Sequence, residues 1–269
     1  MNKPIYRYLA DKRWRSFDYK VLQQRIEQHN IVPDILPKFD PRAEVELYFL
    51  RKKIQPGQTL NSSVSERPPR LTVQVFDKGE RLVSLVCLDP DVPDQASDGY
   101  AKRCHFLAAN VPLSPTITSI PFSKIKADDQ LAVPWLPAFA QKGSDKHRMA
   151  IFVLEQGDKE LDVAKLKELY GKREGFSLKS FRDKFGLQPV GFNMFRTEWD
   201  ENTAAVMERA GQPGAEVELR RNRVYSLKPP RKARGWEANR QGPKYRHLWK
   251  YTKRIRGLST ARGWTRKGH

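Results

Sequence analysis

The apolar positions change period twice along this chain. Over residues 16–29, Val21, Leu22 and Ile26 recur at helical spacing, with Ser16 placed to cap and Asn30 to stop, which predicts one amphipathic helix whose apolar stripe needs a surface to lie on. From Val45 the pattern shortens. Residues 45–49, 71–76, 82–88, 104–111, 149–154 and 190–195 read as strands, parted by turns rich in Pro and Gly. The run Leu82-Val83-Ser84-Leu85-Val86-Cys87-Leu88 is almost unbroken in its apolarity, as in a strand covered on both faces. The sequence Asp89-Pro90-Asp91-Val92-Pro93 should then end it, because two prolines remove donors and extend the residues before them.

Helical spacing returns late. Residues 162–170 place Val163, Leu166 and Leu169 on one face before Gly171, and residues 177–185 place Leu178, Phe181 and Phe185 together before Gly186. A third helix is expected over 198–210, with Trp199, Val206 and Met207 apolar and Gly211 closing it. Between these regions, residues 112–146 form a long connection holding Pro115, Pro121, Pro134 and Pro137, a length that marks a functional or packed loop. Many strands with few helices between them predict a mainly β fold, an antiparallel β-sandwich with a few short helices.

Charge divides the chain in three. The net charge is +19, of which residues 220–269 hold 17 basic residues against the single acid Glu237, and residues 1–30 hold 7 basic against 3 acidic. What lies between is near neutral. The expected organisation is a basic N-terminal arm with one helix (1–30), a globular domain (31–219) and an irregular basic C-terminal extension (220–269). Glycine and proline break the last segment too often for a core, yet Tyr225, Trp236, Tyr245, Trp249, Tyr251 and Trp264 are scattered among its cations. Arginines for phosphates and rings for bases are the composition of a segment that orders on RNA. Arg220, Arg221, Arg223, Arg231, Lys232, Arg234, Arg254 and Arg256 are the candidate phosphate contacts, and Trp236, Trp249 and Trp264 the candidate stacking residues.

The available chemistry is sparse. There is no phosphate-cradling Gly-rich lysine loop, no nucleophile elbow and no His-Glu-x-x-His helix. Two cysteines, Cys87 and Cys104, sit in expected strands and read as buried small hydrophobes of a reducing compartment. The pair Cys104-His105 suggests a nucleophile and base, but neighbours on a strand point to opposite faces. No apolar run approaches the roughly 18 residues of a membrane helix. The cations before Asp11 suit a mitochondrial address. Asp89 and Asp91, with His105 on the following strand and His147 further on, can outline a polar pocket. Their residue types also suit a divalent metal, but aspartates in a Pro-locked turn are ordinary turn-formers that accept backbone N–H bonds, so none is expected.

These residues carry a resemblance. Asp89-Pro90-Asp91-Val92-Pro93 followed by His105-Phe106-Leu107 resembles the two cleft motifs of the phosphatidylethanolamine-binding-protein (PEBP) family. The likeness continues in Ile31-Val32-Pro33-Asp34-Ile35-Leu36-Pro37, in Ile54-Gln55-Pro56-Gly57-Gln58-Thr59-Leu60, in His147-Arg148 with the strand after it, and in Phe181-Arg182-Asp183-Lys184-Phe185 with Glu198-Trp199. It implies a PEBP-like sandwich over roughly residues 31–207, with Asp89, Asp91, His105 and His147 at the ligand pocket. The chain departs from the family at the rim, where Val133-Pro134-Trp135-Leu136-Pro137 replaces a Gly-rich segment, at Met149 after His-Arg, and at Arg103-Cys104. The pocket is therefore expected to be vestigial. With its basic ends, the whole chain resembles the subgroup of this family found in the large subunit of the mitochondrial ribosome. That resemblance implies a non-enzymatic structural component near the central protuberance, in the mitochondrial matrix. Its partners would be ribosomal RNA and other large-subunit proteins, with no cofactor, membrane span or small-molecule substrate. The alternative is a soluble regulator that binds phospholipid headgroups or a kinase, with the tail drawn to anionic membranes.

Overall fold

A computed structural model describes residues 3–94, 97–125, 128–157 and 159–220, with 235–236, 259–260 and 263–264. The chain divides into two compact units, Met1–Arg221 and Asn222–His269.

The first unit opens with α1 (Pro4–Ser16), α2 (Asp18–Gln28) and the short α3 (Ile31–Asp34). A four-stranded antiparallel sheet of order β2-β1-β4-β7 follows, from β1 (Glu44–Phe49), β2 (Lys52–Ile54), β4 (Arg70–Gln74) and β7 (Ser119–Pro121). The larger sheet has the order β3-β10-β9-β5-β6-β8. It comprises β3 (Gln58–Leu60), β5 (Arg81–Asp94), β6 (Gly99–Leu113), β8 (Leu131–Val133), β9 (His147–Glu155) and β10 (Gln188–Thr197), antiparallel except where β3 runs parallel to β10. The remaining helices are α4 (Ser62–Ser65), α5 (Val163–Tyr170), α6 (Leu178–Phe185) and α7 (Thr203–Arg209).

Alternation places the core. Val45, Leu47 and Phe49 of β1 turn inward while Glu44, Glu46 and Tyr48 stay partly exposed, and they meet Leu85, Cys87, Phe106 and Ile151 of the larger sheet. The other face of that sheet, with Val86, Leu88, Leu107, Phe152 and Phe192, is covered by Leu22 and Ile26 of α2, Leu166 of α5 and Phe181 of α6. Burial on both faces is why residues 82–88 show almost no polar alternation. Asp162 accepts from the N–H groups of Ala164 and Lys165, Ser177 from Ser180, and Gly186 closes α6 at φ 66°, as the capping pattern predicts.

Several expectations need correction. The basic N-terminal segment holds two helices, not one: Ser16 ends α1, its hydroxyl donating to Arg13 O at 2.6 Å, and Phe17 at φ −137° breaks the chain before α2. The Asp-Pro-Asp-Val-Pro stretch does not end its strand. Asp89 pairs with Arg103 and Val92 with Ala101, so Pro90 and Asp91 bulge opposite Lys102 and β5 continues to Asp94. The third late helix starts at Thr203, because Asp200 is held by the N–H and hydroxyl of Ser62, at 2.7 and 2.5 Å, which pins the preceding loop to α4. Trp199 stands partly exposed beneath the Lys142 ammonium, and Leu169 is also exposed, with Tyr170 taking the inward place against Phe176 and Phe181. The long connection holds β7, a 3₁₀ turn at Phe122–Lys124 and β8.

In the second unit, β11 (Ser259–Thr260) pairs antiparallel with β12 (Gly263–Trp264).

Candidate functional site

Three neighbouring strands of the larger sheet bring the four pocket residues into one region. Asp89 precedes the bulge in β5 and Asp91 lies in it, His105 is in β6, and His147 opens β9. His105 is itself displaced by a register slip, since Cys87 pairs with Phe106 and Leu88 with Cys104, leaving it as the extra residue. The strict alternation expected for Cys104-His105 is thus broken, and other bonds separate their chemistry. The Cys104 thiol reaches Phe106 O at 3.5 Å, its pKa pushed by burial up to about 12, while His105 Nδ1 lies 3.0 Å from Leu136 O.

Three of the four residues divide between two side-chain networks, and His105 stands outside both. Asp89, 1% exposed, joins His147, 4% exposed, through Oδ2 and Nδ1 at 2.7 Å, and its Oδ1 accepts the Asp91 N–H at 2.9 Å. Burial opposes both charges, but the pairing prevails. The carboxyl of Asp89 is held below its ordinary range, and the imidazole of His147, next to that carboxylate, is raised above its own. Asp91 turns the other way. Its carboxylate takes Arg148 Nε at 2.8 Å, Nη2 at 2.6 Å and the backbone N–H at 2.9 Å. Nη1 of the same guanidinium reaches His29 O at 2.6 Å and Asp34 Oδ2 at 3.0 Å. This fork keeps Arg148 protonated, the hydrogen bonds to Asp91 being the largest cause, and Asp91 and Arg148 border a cleft of about 460 Å³ with Lys146 and Arg196.

Ser144, three residues before His147 and absent from the sequence-based candidates, completes a Ser-His-Asp connectivity: its Oγ lies 3.1 Å from His147 Nε2. The serine hydroxyl also has an acceptor of its own, Gln141 O at 2.8 Å. When protonated, His147 donates at both nitrogens, to Asp89 and to Ser144. The Asp89 carboxylate favours that protonated form. Among the described residues no cluster of three His, Cys, Asp or Glu side chains is placed to hold a metal ion.

The Val133-Pro134-Trp135-Leu136-Pro137 rim closes over His105. Leu136 gives its carbonyl to the ring and its N–H to His105 O at 2.9 Å, Phe139 lies 6.0 Å from the ring centre, and Met207 of α7 packs on Leu136 and Phe139 from outside. With Nδ1 donating to Leu136, His105 Nε2 is left buried without a hydrogen-bond partner among the described residues, and burial lowers the pKa to about 4. The unfolded chain would protonate this residue near 6.5, so between pH 6.5 and about 4 the unfolded state holds the extra proton and stability falls as pH falls. At roughly 1.4 kcal/mol per pH unit, His105 should account for about 3 kcal/mol of that loss. His105→Met is expected to flatten the stability profile over this interval in urea unfolding; parallel profiles for the two proteins would refute the assignment.

Of the candidate RNA contacts, Arg220 is exposed and ion-paired with Glu218 at 3.0 Å, and Trp236 is 68% exposed. Trp264 belongs to β12. Arg221, Arg223, Arg231, Lys232, Arg234, Trp249, Arg254 and Arg256 lie outside the described residues.

The family model described as phosphatidylethanolamine-binding protein matches residues 51–196. Among curated relatives, large ribosomal subunit protein mL38 of Schizosaccharomyces pombe is 29% identical over 210 residues, covering 77% of this chain and 66% of that protein. Protein TERMINAL FLOWER 1 of Arabidopsis thaliana is 27% identical over 82 residues, 30% of this chain and 46% of that one. The chain therefore spans just under two thirds of the length of the first of these relatives and less of the second. Among solved structures, the phosphatidylethanolamine-binding protein of Plasmodium falciparum aligns with a TM-score of 0.48 at 16% identity, over 65% of this chain and 96% of that one. With the family model matched over more than half of its length, and that match spanning the strands that carry Asp89, Asp91, His105 and His147, this chain belongs to the phosphatidylethanolamine-binding protein family.

Proposed function

We propose that this chain is a structural component of the large subunit of the mitochondrial ribosome, acting in the matrix near the central protuberance. The observation that carries this reading is the likeness to large ribosomal subunit protein mL38. It extends over 210 residues, more than the family domain at 51–196 contains, so it takes in sequence outside that domain. The sandwich serves as a shaped filler between neighbouring proteins. The basic residues of 220–269 neutralise ribosomal RNA phosphates, with Trp236, Trp249 and Trp264 against bases, and each phosphate neutralised releases counterions.

The pocket supports the same reading. Asp89 and His147 satisfy each other in a buried pair, His105 lies beneath Leu136, and Arg148 is fully engaged by Asp91, Asp34 and main-chain carbonyls. These groups hold the domain together where a ligand-binding relative would present them to a headgroup. No helix among the described residues is long and apolar enough to cross a membrane.

Gradient sedimentation of mitochondrial lysate at low and high salt tests the proposal, following the full chain and a version ending at Leu219. The full chain should travel with large subunits through the high-salt wash while the shortened one stays at the top. If both stay in the light fraction or float with membranes, the ribosomal reading fails and a headgroup-binding regulator replaces it.

A further inference from the structure

The helix α1 presents its apolar side to solvent. Of the twelve large apolar residues exposed among the described residues, five, Ile5, Tyr6, Tyr8, Leu9 and Phe17, fall within residues 5–17. The helix is nonetheless seated on the domain. Trp14 is 3% exposed, its ring 5.2 Å from Tyr19 and 5.4 Å from Phe76, and Arg7, Ala10 and Asp11, which share its face at helical spacing, are partly covered. Ile5, Tyr8, Leu9 and Lys12 therefore lie on the opposite face. A helix fixed by one face with aliphatic side chains on the other is a prepared contact surface.

We infer that α1 docks a neighbouring protein whose surface offers an apolar trough rimmed by aspartate and glutamate. Charge indicates the rim: Lys12 and Arg13 are exposed beside Leu9, with Asp11, the one acid of residues 3–17, held by Arg15 at 2.7 Å. The aliphatic pair indicates the trough. Ile5 and Leu9 have no ring to stack on bases, so RNA would leave them in water. A second copy would bring two cationic helices together. An anionic membrane favours an apolar arc sustained along the helix, whereas Lys12, Arg13 and Ser16 replace it one turn beyond Leu9. The partner's setting rests on the ribosomal reading; its chemistry does not.

The test places a photoreactive benzophenone side chain at Tyr8 of the full chain in mitochondria, with the gradient run on the same sample. The expected adduct is protease-sensitive and nuclease-resistant, and the cross-linked partner peptide is apolar with net negative charge. Leu9→Asp should lower its yield roughly tenfold and Lys12→Glu roughly threefold, with thermal midpoints unchanged because both side chains are exposed. An adduct to RNA, lipid or a second copy, no adduct, or a yield indifferent to Leu9→Asp overturns the inference. If that happens while the chain still travels with large subunits, the ribosomal reading stands alone. An acidic protein adduct on a chain absent from large subunits upholds the docking surface and overturns the ribosomal reading instead.

Discussion

Asp89→Ala should lower the unfolding free energy of the full chain by about 3 kcal/mol at pH 7, because it strips the hydrogen-bond partner from an imidazole that has almost no access to water. His147 is 4% exposed, and without Asp89 its remaining side-chain hydrogen bond among the described residues is to the Ser144 hydroxyl. The variant would either bury an unpaired imidazolium or lose the proton. Asp89→Asn keeps the shape and removes the charge, so it should cost less, while His147 should fall below its ordinary pKa as burial, opposed then by Asp91 alone among the neighbouring acids, prevails. The pair also sets a pH window. The contribution of Asp89, whose folded pKa is depressed, is lost as pH falls below the usual carboxylate range; that of His147, whose folded pKa is raised, is lost as pH rises through its folded value. Urea unfolding gives the first number and an NMR titration of His147 the second. A destabilisation below about 0.5 kcal/mol would mean that the pair contributes little beyond its own desolvation.

Arg148→Met is the other large effect expected, about 2 to 4 kcal/mol, since every nitrogen of its guanidinium is engaged and its removal leaves Asp91 partly buried without a cation. The loss should be regional. Arg148 Nη1 holds His29 O, just past the end of α2, so hydrogen exchange should accelerate across α2 and α3 while β9 and β5 stay protected. Arg148→Lys should not rescue it, because a single ammonium cannot bridge Asp91 and the helix end together. Uniform loss of protection across the whole sandwich would count against this local role.

Periodicity carried most of the domain. The six expected strands all form, and the caps at Asp162, Ser177 and Gly186 are where the local rules place them, because alternation and end chemistry act over a few residues. The bulged continuation of β5 was not legible. Whether Pro90 breaks a strand or sits in a bulge depends on how the partner strand β6 accommodates it. Strands such as β2, β3 and β8 have three residues each, too few to show a period. α1 shows no inward stripe in the sequence because its one buried side chain is Trp14 and its apolar residues face outward. At the site, residue types named Asp89, Asp91, His105 and His147, but the division of Asp89 with His147 from Asp91 with Arg148, and of His105 from both, follows from reach. Arg148 finds His29 across 119 positions. Ser144 was accessible in principle, since a hydroxyl three residues before a strand-opening histidine can fold back onto its ring.

The place of β10 bears on how the chain is made. It lies second in the larger sheet, between β3 and β9, yet it is the last of the sandwich strands in sequence, and its Val190 carbonyl accepts the N–H groups of Arg42 and Ala43. Synthesis delivers residues from the N-terminus, so until Thr197 has emerged, β3 and β9 each carry an unpaired edge and Phe192, Met194 and Phe195 are missing from the two cores. Nascent chains at that stage resemble an open sandwich with adhesive borders, the form most exposed to wrong pairing and most dependent on shielding by chaperones. Closure is thus timed by the final strand, and only the residues after it can be added to an already finished domain.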